Sequence, residues 1–151
     1  MELHSAYTDL YRDIVRRHAR APHGVGDIYR ATARAESYNA HCGDRIAVSL
    51  RLALDRRIEL LRHSTEACLL CTASASLMSQ HVVGLVAADA EALSLQVGSL
   101  VMGEPSGSLP EELDALAGVV AFPARRRCVM LPWETLGNAL RQAAMRMAFL
   151  A

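Results

Sequence analysis

The chain has 151 residues, 52% of them hydrophobic and 21% charged, with sixteen basic against sixteen acidic side chains and four cysteines. A chain of this length buries about two-thirds of its unfolded surface, so a single domain over residues 1–151 needs neither disulfides nor metal to hold a core. Zero net charge, with no lysine and the arginines scattered apart from Arg125, Arg126 and Arg127, disfavours the unbalanced cationic surface that nucleic-acid affinity needs.

Tyr7, Leu10, Tyr11, Ile14, Val15 and His18 recur at the spacing of one helix face, which predicts a helix from about Ser5 to Arg20. Pro22, Gly24 and Gly26 then make a loop. Alternation of small or aromatic with polar residues predicts a strand from Ile28 to Asn39. A clearer period of two follows, with Ile46, Val48, Leu50, Leu52 and Leu54 alternating against Arg45, Ala47, Ser49, Arg51 and Ala53. Asp55 and Arg56 suit a tight turn into a third strand over Arg57 to His63, giving an antiparallel meander with one wet face and helices on the other.

After Cys68 the composition turns to Ala, Ser, Leu and Met through Gln80, a tightly packed helix that Gly84 ends. Ala88 to Met102 is again helical in spacing, and Pro105 to Ser108 is a loop. Pro110 to Leu116 suits a short helix with Glu111 and Glu112 at its positive end. A last helix runs from about Val129 or Pro132 to Phe149. The expected class is α+β, with a three-stranded antiparallel sheet and helices packed on one face.

Charges at Glu2, Asp9, Arg12, Asp13, Arg16 and Arg17 leave no apolar run for a signal peptide, and no apolar stretch is long enough to span a bilayer. The expected setting is cytoplasmic, without membrane. In a reducing compartment cysteines are more often ligands or reactive thiols than disulfide partners. Cys42 falls in a loop between two strands, Cys68 between a strand and a helix, and Cys128 just before the last helix, while Asp44 opens the second strand. Ends of rigid elements are where side chains from distant parts of a chain converge. Their spacing alone matches no zinc-finger pattern.

Local words at these positions carry more information: Asn39-Ala40-His41-Cys42-Gly43-Asp44, then Cys68-Leu69-Leu70-Cys71-Thr72-Ala73-Ser74-Ala75-Ser76-Leu77-Met78, then Arg127-Cys128. Together with His18, Pro22 and Gly26 after the first helix, they resemble the U-type iron–sulfur assembly proteins, the IscU, SufU and NifU amino-terminal group, over nearly the whole chain. Within that group the chain looks more like SufU. No His precedes Cys128, the chaperone word of IscU is replaced by Phe122-Pro123-Ala124-Arg125, the segment from Cys68 to Cys128 is longer, and Leu131-Pro132-Trp133 resembles the SufU ending. Ala40 stands where the group usually has Pro, and Thr65 and Ala67 where it has Gly.

The SufU resemblance implies a zinc-bound sulfur acceptor working with a cysteine desulfurase (SufS-like) and with downstream cluster-assembly proteins. The wider group implies a scaffold for a transient 2Fe-2S cluster. Three thiolates and a carboxylate complete a tetrahedral zinc site at roughly 2.3 Å for sulfur and 2.0 to 2.2 Å for oxygen, and Cys42, Asp44, Cys68 and Cys128 are the expected ligands. By the same resemblance Cys42 is the sulfur acceptor. Arg125 to Arg127 would either offset the charge of the site and attract an acidic partner, or form a solvated face. Cys71 and Trp133 are expected to pack, and His18 to be a satisfied core histidine.

Two other classes compete. Cys68-Leu69-Leu70-Cys71 is a C-x-x-C at a helix start, as in dithiol oxidoreductases, though that reading gives Cys42 and Cys128 no role. A zinc-stabilised interaction module is the other, in which metal only ties loops together.

Overall fold

A computed structural model describes Ser5 and residues 8–150. Three strands, β1 (Ala33–Asn39), β2 (Asp44–Leu52) and β3 (Ile58–Glu66), form an antiparallel sheet in the order β1-β2-β3. Helix α1 (Asp13–Arg20) precedes the sheet, and α2 (Leu69–Val82), α3 (Ala87–Val101), α4 (Glu111–Asp114) and α5 (Arg126–Leu150) follow it. Among the described residues no helix is long and apolar enough to cross a membrane.

The alternation of β2 dictates the layering. Ile46, Val48 and Leu50 are buried and share a sheet face with Ala33, Ala35, Leu61 and His63, their neighbours in the register. Helices cover this face, with α5 lying along β1 and β2 and α2 packed between α1, α5 and β3. Arg34, Glu36 and Arg45 keep the other face wet. Helix α2 is buried almost all round, from Leu70 to Val82, which is why its sequence is small and apolar rather than amphipathic. The free edge of β3 is closed by the loop after α1. The His63 N–H donates to the Gly24 carbonyl at 2.7 Å, and the Gly26 N–H to the His63 carbonyl at 2.9 Å.

His18 is a satisfied core histidine, as expected. Its Nδ1 lies 2.7 Å from Ser76 Oγ and its Nε2 2.9 Å from Glu112 Oε2, tying α1 to α2 and α4.

Several boundaries differ from the sequence reading. The first helix is not continuous: residues 8–10 are helical, Arg12 is extended (φ −54°, ψ 154°), and α1 begins at Asp13. Just before the break the backbone meets Gly118, where a Cβ would stand 2.4 Å from the Asp9 carbonyl oxygen. Tyr7, assigned to the same helix face, lies outside the described residues. The first strand starts at Ala33 rather than near Ile28, since Arg30 takes a left-handed φ of 58° and the Ile28 N–H is drawn to Ser49 Oγ. Strand β2 ends at Leu52, and Leu54 is 98% exposed in the turn to β3. The short helix at Glu111 continues as a 3₁₀ stretch over Ala115–Ala121.

Helix α5 begins at Arg126, ahead of the expected Val129 or Pro132, so Cys128 stands inside its first turn. Pro132 is accommodated within the helix; having no N–H, it leaves the Cys128 carbonyl without its usual helical partner.

Candidate metal and sulfur site

The β1–β2 connection is shaped by its own side chains. Asn39, buried at the end of β1, accepts the His41 N–H on Oδ1 at 3.2 Å, an Asx turn that bends the chain back toward the sheet. Gly43 then takes φ +69°, the left-handed conformation that only glycine adopts at little cost. Between these two, Cys42 is held at the tip of the turn and is exposed to solvent.

One residue beyond Gly43, Asp44 opens β2 with its side chain turned into the protein, at 0% exposure. Its Oδ1 accepts the backbone N–H of Cys68 at 2.9 Å, and its Oδ2 lies 3.9 Å from Cys68 Sγ. Cys68 is the residue that caps α2, so one carboxylate fixes both the start of that helix and the thiol it carries. Cys128 comes from the first turn of α5 and is fully buried. Its Sγ is 3.3 Å from Cys42 Sγ. Ligand atoms of Cys42, Asp44 and Cys128 all lie within 4.8 Å of one another. Cys68 stands outside that mutual set and is joined to it through Asp44.

The position of Cys128 is secured from α2. Ser74 Oγ donates to the Val129 carbonyl at 2.6 Å and accepts the Trp133 indole N–H at 3.0 Å. Ser74 and Asn39 are the two positioning residues to which the sequence reading gave no role. An Asn two residues ahead of a loop backbone N–H is a turn signal, and a buried Trp requires an acceptor, but only the fold shows which serine supplies it.

Cys71 lies in the apolar core at 0% exposure, in keeping with the packing role read from the sequence. Burial pushes its thiol well above the usual range, and the negative charges of Asp44, Cys68 and Cys42 push it further. Burial likewise raises Cys128, with the hydrogen bond to Cys42 adding to it. Of the arginine run, Arg126 is structural, donating to the Val120 carbonyl at 2.7 Å. Arg125 and Arg127 are exposed.

The donor set fits a divalent metal. A fully buried carboxylate is costly unless a cation or several donors compensate it, yet among the described residues no salt bridge reaches Asp44. Its neighbours are instead three thiols, groups that bind soft or borderline metals as thiolates.

Comparison with known proteins gives this arrangement a context. Residues 10–147 match the family model described as NifU-like N terminal domain. The chain is 32% identical to the iron–sulfur cluster assembly scaffold protein IscU of Streptococcus pyogenes serotype M1, over 93% of this chain and 88% of that one. It is 29% identical to the zinc-dependent sulfurtransferase SufU of Bacillus subtilis, over 90% and 92%. Among solved structures, an iron–sulfur cluster assembly scaffold protein for the SUF system from Fervidobacterium islandicum superposes with a TM-score of 0.83 at 22% identity, covering 88% of this chain and 98% of that one. Fold and match together define a U-type domain. The chain belongs to the NifU-like N-terminal domain family, among relatives that carry the names IscU and SufU.

Proposed function

We propose that this protein serves iron–sulfur cluster assembly in the cytoplasm as a zinc-bound sulfur acceptor, with Cys42, Asp44, Cys68 and Cys128 as the metal ligands and Cys42 as the acceptor. The observation that carries this reading is the contrast within the cluster. Cys42 is exposed at the tip of a turn, whereas Cys68 is half-buried and Asp44 and Cys128 are fully buried, so Cys42 is the thiol most open to an incoming partner.

The transfer follows the logic of thiol–disulfide exchange. The Cys42 thiolate attacks the terminal sulfur of a persulfide on a cysteine desulfurase (SufS-like). A new sulfur–sulfur bond forms at Cys42, the bond within the donor persulfide breaks, and the desulfurase cysteine leaves as thiolate. Bound zinc would keep the cysteine ligands deprotonated and gathered. The chain's own residues do the rest: Asn39 and Gly43 set the Cys42 turn, Asp44 aligns Cys68, and Ser74 with Trp133 fixes the helix that brings Cys128. The lack of a His before Cys128 and the long segment between Cys68 and Cys128, here α2, α3, α4 and the 3₁₀ stretches, support the SufU side of the family.

A second reading, a scaffold on which a transient 2Fe-2S cluster is built, is favoured by the identity to the streptococcal IscU scaffold and uses the same sulfurs as cluster ligands. Radiolabelled cysteine turned over by a desulfurase tests the two. Wild type is expected to carry label as a persulfide on Cys42, released by reductant. A Cys42→Ala variant that accepts label at the wild-type rate overturns the assignment.

A further inference from the structure

The Cys42–Cys128 contact has chemistry that needs neither zinc nor a cluster. We propose that Cys42 and Cys128 form a peroxide-responsive thiol pair, in which a hydroperoxide oxidises Cys42 and Cys128 closes an intramolecular disulfide.

Two observations support it. The two sulfurs are 3.3 Å apart, so closing to a bond of about 2.05 Å takes a shift of little more than an ångström. The two thiols also differ in access: Cys42 is exposed and meets the oxidant, while Cys128 is fully buried and meets only Cys42 and its neighbours. The rival pair is worse placed, because Cys68 Sγ is turned onto Asp44 and Cys71 is closed in the core.

The step balances. Cys42 sulfur attacks one peroxide oxygen and the oxygen–oxygen bond breaks, leaving Cys42 as sulfenic acid and the peroxide reduced to an alcohol or water. Cys128 sulfur then attacks Cys42 sulfur, the sulfur–oxygen bond breaks, and the hydroxyl leaves as water with the thiol proton. Two thiols are oxidised by two electrons in all, and a dithiol reductant reverses the change. The disulfide withdraws two sulfurs from metal binding and from sulfur acceptance together. It also keeps Cys42 from the irreversible sulfinic state, which a lone exposed thiol reaches with further oxidant.

The test uses the full chain as purified and again after chelation, exposed to near-stoichiometric hydrogen peroxide, alkylated in denaturant so that buried thiols are reached, and mapped by mass spectrometry. The expected result in the chelated protein is a mass lower by two hydrogens, a Cys42–Cys128 linked peptide, Cys68 and Cys71 alkylated, and full reversal by dithiothreitol. Cys128→Ser, given an excess of peroxide over two equivalents, is expected to take two oxygens irreversibly at Cys42. A Cys68–Cys71 link, a dimer joined through Cys42, or sulfinic Cys42 in the wild type would overturn the proposal. The wild-type map decides it even if the variant does not fold, and it is independent of whether sulfur transfer is found.

Discussion

The Asp44 carboxylate accepts the backbone N–H of Cys68 at 2.9 Å, so the first residue of a strand caps the helix that carries a second member of the thiol cluster. Charge and hydrogen bonding at Asp44 are separable by mutation. Asp44→Asn keeps an oxygen for the Cys68 N–H but removes the negative charge. It is expected to lower zinc affinity in a chelator competition while leaving the urea midpoint of the metal-free protein near wild type. Asp44→Ala loses both, and the orphaned N–H adds about 1 to 3 kcal/mol of destabilisation. If Asp44→Asn held zinc as tightly as wild type, the carboxylate would not be a ligand.

Ser74 anchors the start of α5 through the Val129 carbonyl and the Trp133 indole. Ser74→Ala leaves a buried indole N–H without an acceptor and is expected to cost about 1 to 3 kcal/mol in urea unfolding. Metal affinity should fall with it, because Cys128 lies one residue before Val129. Ser74→Thr retains the hydroxyl and is expected to recover most of the affinity.

Cys71 separates packing from ligation. Cys71→Ala removes one buried sulfur from the core and is expected to cost about 1 kcal/mol, near the worth of one buried methylene-sized group. Zinc content per chain should be unchanged. A variant that lost zinc while remaining folded would make Cys71 a ligand.

His63 gives stability a pH dependence. It is 1% exposed, and its Nε2–H donates to the His23 carbonyl at 2.7 Å while Nδ1 accepts from the Thr65 hydroxyl at 2.7 Å, an arrangement for the neutral ring. Burial holds its pKa below the ordinary 6.5, and the same cause lowers His81. The unfolded chain therefore binds protons first as pH falls. Stability is full above 6.5 and declines below it toward the folded-state values, by at most about 1.4 kcal/mol per pH unit for each group. Urea midpoints measured on either side of that value should show the decline, and His63→Gln should reduce it. An equal decline in wild type and variant would remove His63 as a cause.

The meander was legible because a half-buried strand writes its burial as a period of two, and Ile46, Val48 and Leu50 face the core as that pattern requires. The start of α2 at Cys68 was legible from the change to small apolar residues. Boundaries set by distant contacts were not. The periodicity of the first helix runs unbroken through Arg12, and the interruption falls beside a contact distant in sequence, the approach of Gly118 to the Asp9 backbone. Pro132 suggested a helix start because a proline inside a helix forgoes a hydrogen bond, but packing of α5 across the sheet outweighs that one bond. At the site, three short words mark Cys42, Asp44, Cys68 and Cys128, and the structure brings them to one end of the sheet. The Asp44 cap on Cys68 and the Ser74 anchor join residues far apart in sequence, so no local pattern marked them.

Metal and acid-labile sulfide content per chain, after anaerobic purification of wild type, tests the central claim most directly. About one zinc per chain with no sulfide and no visible chromophore is the result predicted for a zinc-bound sulfur acceptor. Iron with matching sulfide, lost on exposure to air, would contradict it and make the same cysteines the ligands of a cluster built on this protein.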